Sequence, residues 1–143
     1  MTTPFEGKHA DITERIIKAF YTVYNQLGCG FSEKVYENAT VHQERKLGLN
    51  VETQKEILVY YDGVEVGKYA ADLLVNGLVI VELKSVHKLL PEHEAQLLNS
   101  LKSTPVEVGL LLNFGPKPEH IRKVYDNSRK GSLSWTNWPT NQQ

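Results

Sequence analysis

Glu82-Leu83-Lys84 closes the most apolar run in the chain, Leu78 to Lys84, in which five of seven residues are large and apolar. A carboxylate and an ammonium at the end of such a run are costly to bury unless each finds a partner or a metal. Their i, i+2 spacing on a strand turns both side chains to one face, roughly 7 Å apart. Asp72 lies one hairpin upstream, in Tyr69-Ala70-Ala71-Asp72-Leu73-Leu74, an acid inside a second apolar strand where acids are disfavoured. Two carboxylates and a lysine converging on one sheet face make a hard-oxygen site for a divalent cation with a cationic neighbour. Read without Asp72, the pair Glu82 and Lys84 fits a strand-end ion pair equally well.

The convergence depends on hairpin register. A strict two-residue Asn76-Gly77 loop pairs Asp72 with Val81 and turns Glu82 to the opposite face. A three-residue loop, Val75-Asn76-Gly77 with Gly77 left-handed, pairs Asp72 with Ile80 and leaves Glu82 diagonally across on the same face. A β-bulge near Asp72 has the same effect. A metal site therefore predicts one device or the other.

The elements that must position these residues follow from periodicity. Ile12, Ile16, Ala19, Phe20, Val23 and Leu27 recur at helical spacing, so residues 10–27 form an amphipathic helix, stopped by Gly28-Cys29-Gly30. Ser32 is an N-cap for a second helix that runs to about Leu47 and is closed by Gly48. Val51, Thr53, Lys55, Ile57, Val59 and Tyr61 then alternate with mostly polar residues, a strand with one exposed face. Asp62-Gly63 turns it into a second strand, to about Leu74. The apolar run ending at Lys84 makes a central third strand. Pro91 starts a third helix with Ala95, Leu97, Leu98 and Leu101, residues 106–114 return to strand, and residues 118–129 read as a fourth helix. The order α-α-β-β-β-α-β-α gives a mixed sheet of α/β (α+β) class, its fourth strand parallel to the third across the helical crossover.

Composition sets outer limits. The chain has 143 residues, 41% hydrophobic and 23% charged, with net charge −1. These values suit one globular domain, residues 1–130, with a C-terminal tail over 131–143. A general nucleic-acid coater would be strongly basic, so any phosphate-binding surface is local or depends on a bound cation. A lone Cys29 allows no internal disulfide, which suits a reducing, cytoplasmic setting. The N-terminus lacks a secretion layout, and no apolar run reaches the roughly 18 residues that span a membrane.

Asp72, then Glu82-x-Lys84 after a hairpin, resembles the PD-(D/E)xK nuclease signature. Gly30-Phe31-Ser32-Glu33-Lys34-Val35-Tyr36 matches G-x-x-E-x-x-Y, the pattern of the GxxExxY protein family within that superfamily. His93-Glu94-Ala95-Gln96-Leu97-Leu98-Asn99 and Leu111-Leu112-Asn113-Phe114-Gly115 are similar to the same family, and the resemblance runs over residues 10–127. It implies a restriction-endonuclease-like core. It further implies that Asp72 and Glu82 bind Mg²⁺ or Mn²⁺, with the Leu83 carbonyl as a third protein ligand. Lys84 would orient or help deprotonate the attacking water and offset transition-state charge. Glu33 would add a carboxylate through a water, and Gln96 would contact the site. The chain departs from the pattern at Ser100, where relatives often carry Tyr, and at Ala71, where a proline precedes the acid.

Plainer readings stand beside these. Glu33 is also a first-turn acid favoured by the helix dipole, and Tyr36, one turn on, would orient Glu33 or cover the site. Gln96 can be a polar helix residue, His93 an exposed one, and Cys29 a turn residue. Lys117, Arg122, Lys123, Arg129 and Lys130 against Glu119 and Asp126 form a solvated helix face or a phosphate-steering one. Trp135 and Trp138 can stack on bases or pack on the domain or a partner. The leading expectation is a Mg²⁺-dependent phosphodiesterase acting on nucleic acid, DNA or RNA. The alternatives are a catalytically silent nucleic-acid-binding or protein-interaction module of the same fold, and a metal-dependent enzyme for a small phosphorylated substrate. A sheet edge or the Trp tail offers a surface for a homodimer.

Overall fold

A computed structural model describes residues 7–131; the tail tryptophans lie outside the described residues. Three helices, α1 (Ala10–Leu27), α2 (Glu33–Lys46) and α3 (Pro91–Lys102), accompany five strands: β1 (Val51–Tyr61), β2 (Val64–Val75), β3 (Val79–Lys84), β4 (Val108–Phe114) and β5 (Pro118–Val124). The strands form one sheet in the order β1-β2-β3-β4-β5. β3 and β4 run parallel and every other pair is antiparallel. The mixed α+β class read from periodicity is the architecture found. No helix among the described residues is long and apolar enough to cross a membrane.

Two helical layers cover the sheet. On one face Ile12, Ile16, Phe20 and Val23 of α1, with Tyr36 and Val41 of α2, pack on Leu73, Val75, Val79, Val81, Val108, Leu110 and Leu112. On the other, Leu97 and Leu101 of α3 pack on Leu74, Ile80 and Leu111. Every residue of β4 is buried, which is the signature of a strand covered on both sides. α3 approaches so closely that a Cβ on Gly109 would stand 2.7 Å from Leu97 Cδ1.

The expected fourth helix is a strand instead. β5 pairs antiparallel with β4 from Val108–Val124 to Phe114–Pro118. Its alternation splits the side chains: Ile121 packs against the α3-side core, while His120 meets Tyr21 of α1 through a hydrogen-bonding contact of 2.9 Å. Glu-His-Ile-Arg-Lys has no strong strand propensity, and pairing with a fully buried neighbour overrides it. Charged residues on such an edge also discourage pairing with other chains.

The change of element disperses the basic cluster. Lys123 pairs with Glu94 of α3 at 2.9 Å, Arg122 donates to the Lys8 carbonyl, Arg129 lies 4.6 Å from the centre of the Tyr125 ring, and the buried Lys130 donates to the carbonyls of Thr104 and Val106. These cations therefore do not share one helix face.

Candidate active site

The site is built where β2 and β3 part. They pair only at Leu73–Val81, Leu74–Ile80 and Val75–Val79. The connecting loop has three residues, as one of the two predicted devices requires, but it is Asn76-Gly77-Leu78 rather than Val75-Asn76-Gly77. Asn76 and Gly77 are both left-handed, with φ 53° and 67°, and the Leu78 N–H donates to the Val75 carbonyl at 2.9 Å. Asn-Gly is the dipeptide that tolerates two positive φ angles in succession, and Leu78 supplies the extra residue. Continued by one position, this register brings Asp72 opposite Glu82, not Ile80. The two acids therefore share a face directly instead of diagonally.

A second irregularity adjoins Asp72. Thr53 pairs with Leu73 and Lys55 with Ala71, but Gln54 and Asp72 between them form no ladder pair. Gln54 is left-handed, φ 51°. Val51 and Ile57 lie six positions apart, an even offset that would place both on one face of a regular strand. Instead Val51 belongs to the core beneath α1 and α2, and Ile57 to the core beneath α3. The left-handed residue reverses the strand's faces beside the acid, an irregularity of the kind that gathers near functional sites.

Asp72, Glu82, Lys84, Glu33 and Gln96 line one cavity of about 270 Å³, completed by Tyr69, Ala70, Asn99 and Ser100. The fold thus brings the five side chains singled out by sequence to one place. Leu83 contributes no side chain there, since it is buried in the core under α1 and α2. Its amide does reach the site: the Leu83 N–H donates to Asp72 Oδ2 at 2.8 Å. Ser100, at the position where relatives often carry Tyr, is buried in the cavity wall.

The electrostatics call for a proton or a cation beside the acids. Burial, and then the negative charge of Asp72, push the Glu82 carboxyl up to about 8, while Lys84 pulls the other way. A desolvated carboxyl beside a second carboxylate either keeps a proton or takes a positive partner. Both donors are hard oxygens, as Mg²⁺ and Mn²⁺ prefer. Among the described residues no three Asp, Glu, His or Cys side chains close on one point. A cation here would therefore also draw on backbone or solvent oxygen.

Sequence reasoning missed the supports behind these groups. Glu37 is buried on α2, one turn after Glu33 and on the same helical face. Gln54 Nε2 donates to Glu37 Oε1 at 3.1 Å and approaches Asp72 Oδ1 at 3.4 Å, which ties α2 to the acid. The i, i+4 spacing of Glu33 and Glu37 was the available signal; nothing in the sequence marks Gln54. Tyr36 does not face the cavity. Its hydroxyl donates to the Gly28 carbonyl at 2.6 Å and accepts the Phe31 N–H at 3.2 Å, and its ring stacks on Phe114 at 4.2 Å. It fixes the loop that delivers Glu33, instead of touching or covering the site. His93 likewise serves structure: its Nδ1 accepts the Leu90 N–H at 2.9 Å, capping α3. Cys29 is exposed in its turn.

Asn113-Phe114-Gly115 secures the other side. The Asn113 side chain accepts the Val86 N–H at 2.9 Å and donates to the Val86 carbonyl at 3.0 Å. It also donates to Glu119 Oε1 at 2.9 Å, which accepts the Leu89 N–H at 3.1 Å. A Cβ on Gly115 would stand 2.3 Å from the Val86 oxygen, so only glycine admits this segment. Asn113 pairs with Lys84 in the sheet, so the clamp acts on the exit of the strand that carries the lysine.

Residues 10–124 match the PD-(D/E)XK nuclease superfamily. The crystal structure of SSO0001 is similar at 19% identity, with a TM-score of 0.47, over 80% of this chain and 66% of that one. The chain thus spans less than two thirds of that protein's length. Comparison with curated proteins gave no match. The family match extends from the first residue of α1 to the last of β5 and includes every residue lining the cavity, so the chain belongs to the PD-(D/E)XK nuclease superfamily.

Proposed function

We propose that the chain is a GxxExxY-type nuclease that hydrolyses phosphodiester bonds of nucleic acid with Mg²⁺ or Mn²⁺. The observation that carries this reading is the meeting of Asp72, Glu82 and Lys84 in one cavity, with the Glu82 carboxyl raised by burial and by its acidic neighbour. Asp72 and Glu82 would hold the cation. Support for the Leu83 carbonyl as a further ligand comes from strand geometry, which sends a residue's N–H and C=O to the same edge. The N–H already meets Asp72 there. The cation, when bound, would supply Lewis-acid polarisation of a phosphoryl oxygen and ease deprotonation of water. Lys84 would orient that water and offset charge on the phosphorus as it becomes five-coordinate. Glu33 would orient a water from the opposite wall, and the Gln96 amide would position the substrate.

The competing reading, a module of the same fold that binds without turnover, draws on the absence of a third closing acid among the described residues. One experiment separates them. Single- and double-stranded DNA and single-stranded RNA are incubated with Mg²⁺, with Mn²⁺ and with chelator, using wild type and Lys84→Ala purified in parallel. Cleavage that requires metal and disappears in Lys84→Ala supports the nuclease. Equal cleavage by both proteins means contamination, and binding without cleavage by either supports the silent module.

A further inference from the structure

Two exposed aromatic side chains line the carboxylate cavity and a second one beside Ser85, and neither is accounted for by the chemistry above. Tyr69, 45% exposed, lines the cavity that holds Asp72, Glu82 and Lys84, together with the amides of Gln96 and Asn99. Phe31, 47% exposed, lines a second cavity of about 440 Å³ together with Ser85, Val86 and His87. Consecutive residues line the two cavities, Lys84 the first and Ser85 the second. Apolar rings of this size are ordinarily withdrawn from water. Here the backbone beneath each is held in place. Tyr69 is fixed in the ladder opposite Ile57. The Phe31 N–H donates to the Tyr36 hydroxyl, the Phe31 carbonyl accepts from Ser85 Oγ at 3.1 Å, and its ring meets Tyr36 edge-on at 6.1 Å.

The charges around these rings narrow what they bind. Among the described residues, the first cavity carries Glu33, Asp72 and Glu82 against Lys84 alone, and the second is lined by no Lys, Arg, Asp or Glu. A duplex binder depends on neutralising on the order of 6–10 phosphates with Lys and Arg, and neither cavity offers that. Single strands also gain affinity from base stacking on aromatic side chains, a sequence-tolerant contribution that needs no cation of its own and that a paired duplex base cannot make. A cavity of about 270 Å³ is also at or below the small end of clefts that take drug-sized ligands, about 300–1,000 Å³, which suits one extruded nucleotide and not a helix.

We propose that the substrate crosses this site as an unpaired strand, one base stacking on Tyr69 and a neighbour beyond the carboxylates stacking on Phe31. This rests on the nuclease reading for the position of the phosphate between the two rings. Gln96 and Asn99, on the wall beside Tyr69, meet the edge of the first base.

The test measures binding separately from turnover. Single-stranded DNA and RNA oligonucleotides carrying 2-aminopurine, and a matching DNA duplex, are titrated with the full chain in Ca²⁺, and quenching of the base is followed. Cleavage of the same strands is assayed in Mg²⁺. Wild type should quench the single strands and bind them more tightly than the duplex. Tyr69→Leu and Phe31→Leu should each weaken single-strand binding by about tenfold and abolish quenching at one register, with unchanged circular dichroism and melting temperature. Tyr69→Phe and Phe31→Trp should restore it. The DNA and RNA arms identify the sugar. Leucine variants that bind like wild type, or preference for duplex, overturn the proposal even where metal-dependent cleavage persists. Ring-dependent binding of single strands with no cleavage in any metal upholds it and removes the nuclease reading instead.

Discussion

Glu44 is fully buried on α2, and neither carboxyl oxygen finds a hydrogen-bond partner among the described residues; the Thr40 hydroxyl one turn earlier is in the same position. Burial alone raises this carboxyl from 4.5 to about 8. The sign of the resulting pH dependence is fixed. Below about pH 4.5 the group is protonated in both states and contributes nothing. From there to about 8 the unfolded chain ionises while the folded one keeps its proton, so stability falls as pH rises, and above 8 the loss is complete. With those two values, the penalty relative to a neutral isostere is about 4 kcal/mol at pH 7.5 and about 1 kcal/mol at pH 5. Glu44→Gln removes the titration and keeps the shape. The buried amide carries its own desolvation cost, but that cost is the same at both pH values. Urea unfolding of wild type and variant at pH 5 and pH 7.5 isolates the group, because all other titrations cancel in the difference. The variant's advantage should be larger at pH 7.5 by about 3 kcal/mol. A difference equal at the two pH values would refute the reasoning and show that Glu44 ionises in the folded chain at no cost.

Asn113→Ala removes the clamp on Val86 and should cost about 1–3 kcal/mol in urea unfolding. At a temperature where the variant is fully folded, the metal-dependent cleavage proposed above should still fall through kcat, because Lys84 loses its brace. Tyr36→Phe keeps the stack on Phe114 but leaves the Gly28 carbonyl and Phe31 N–H without their partner; it should lower stability by about 1–3 kcal/mol, read from the denaturation midpoint. Gly109→Ala drives a methyl into Leu97 and should destabilise by about 1–3 kcal/mol through overpacking, seen as a lower melting temperature.

The two long helical periods and the Pro91 start are legible because tertiary structure agrees with local preference: Ile16, Ala19 and Phe20 are buried at the spacing their sequence shows. The strand Leu110-Leu111-Leu112 is legible because both of its faces must be covered. β5 is not, since its charged residues gain strand geometry only from β4 beside it, and no pattern within residues 118–124 records that neighbour. Register is the intermediate case. The Asn76-Gly77 pair announces a turn, but whether Val75 or Leu78 joins the loop moves the residue opposite Asp72 by two, from Ile80 to Glu82, and depends on packing of β3 between two helical layers.

The candidate site was legible where chemistry violates an apolar pattern, and illegible where it obeys one. Asp72, Glu82 and Lys84 stand out because charged groups interrupt apolar stretches, residues 71–75 and 79–84, that are otherwise buried. Glu37 hides among the acids of a helix whose outer face is charged anyway, and Gln54 resembles any polar residue of an exposed edge strand. Yet Gln54 reverses the faces of β1 beside Asp72 and links that acid to Glu37. A non-glycine residue held left-handed costs on the order of 1–3 kcal/mol and persists only where its surroundings over-determine it. Here the surroundings are the parted end of β2 and β3 and the buried Glu37. The strained residue therefore belongs to the apparatus that aims Asp72, and its backbone angle is the one property that no reading of residue types along a strand could supply.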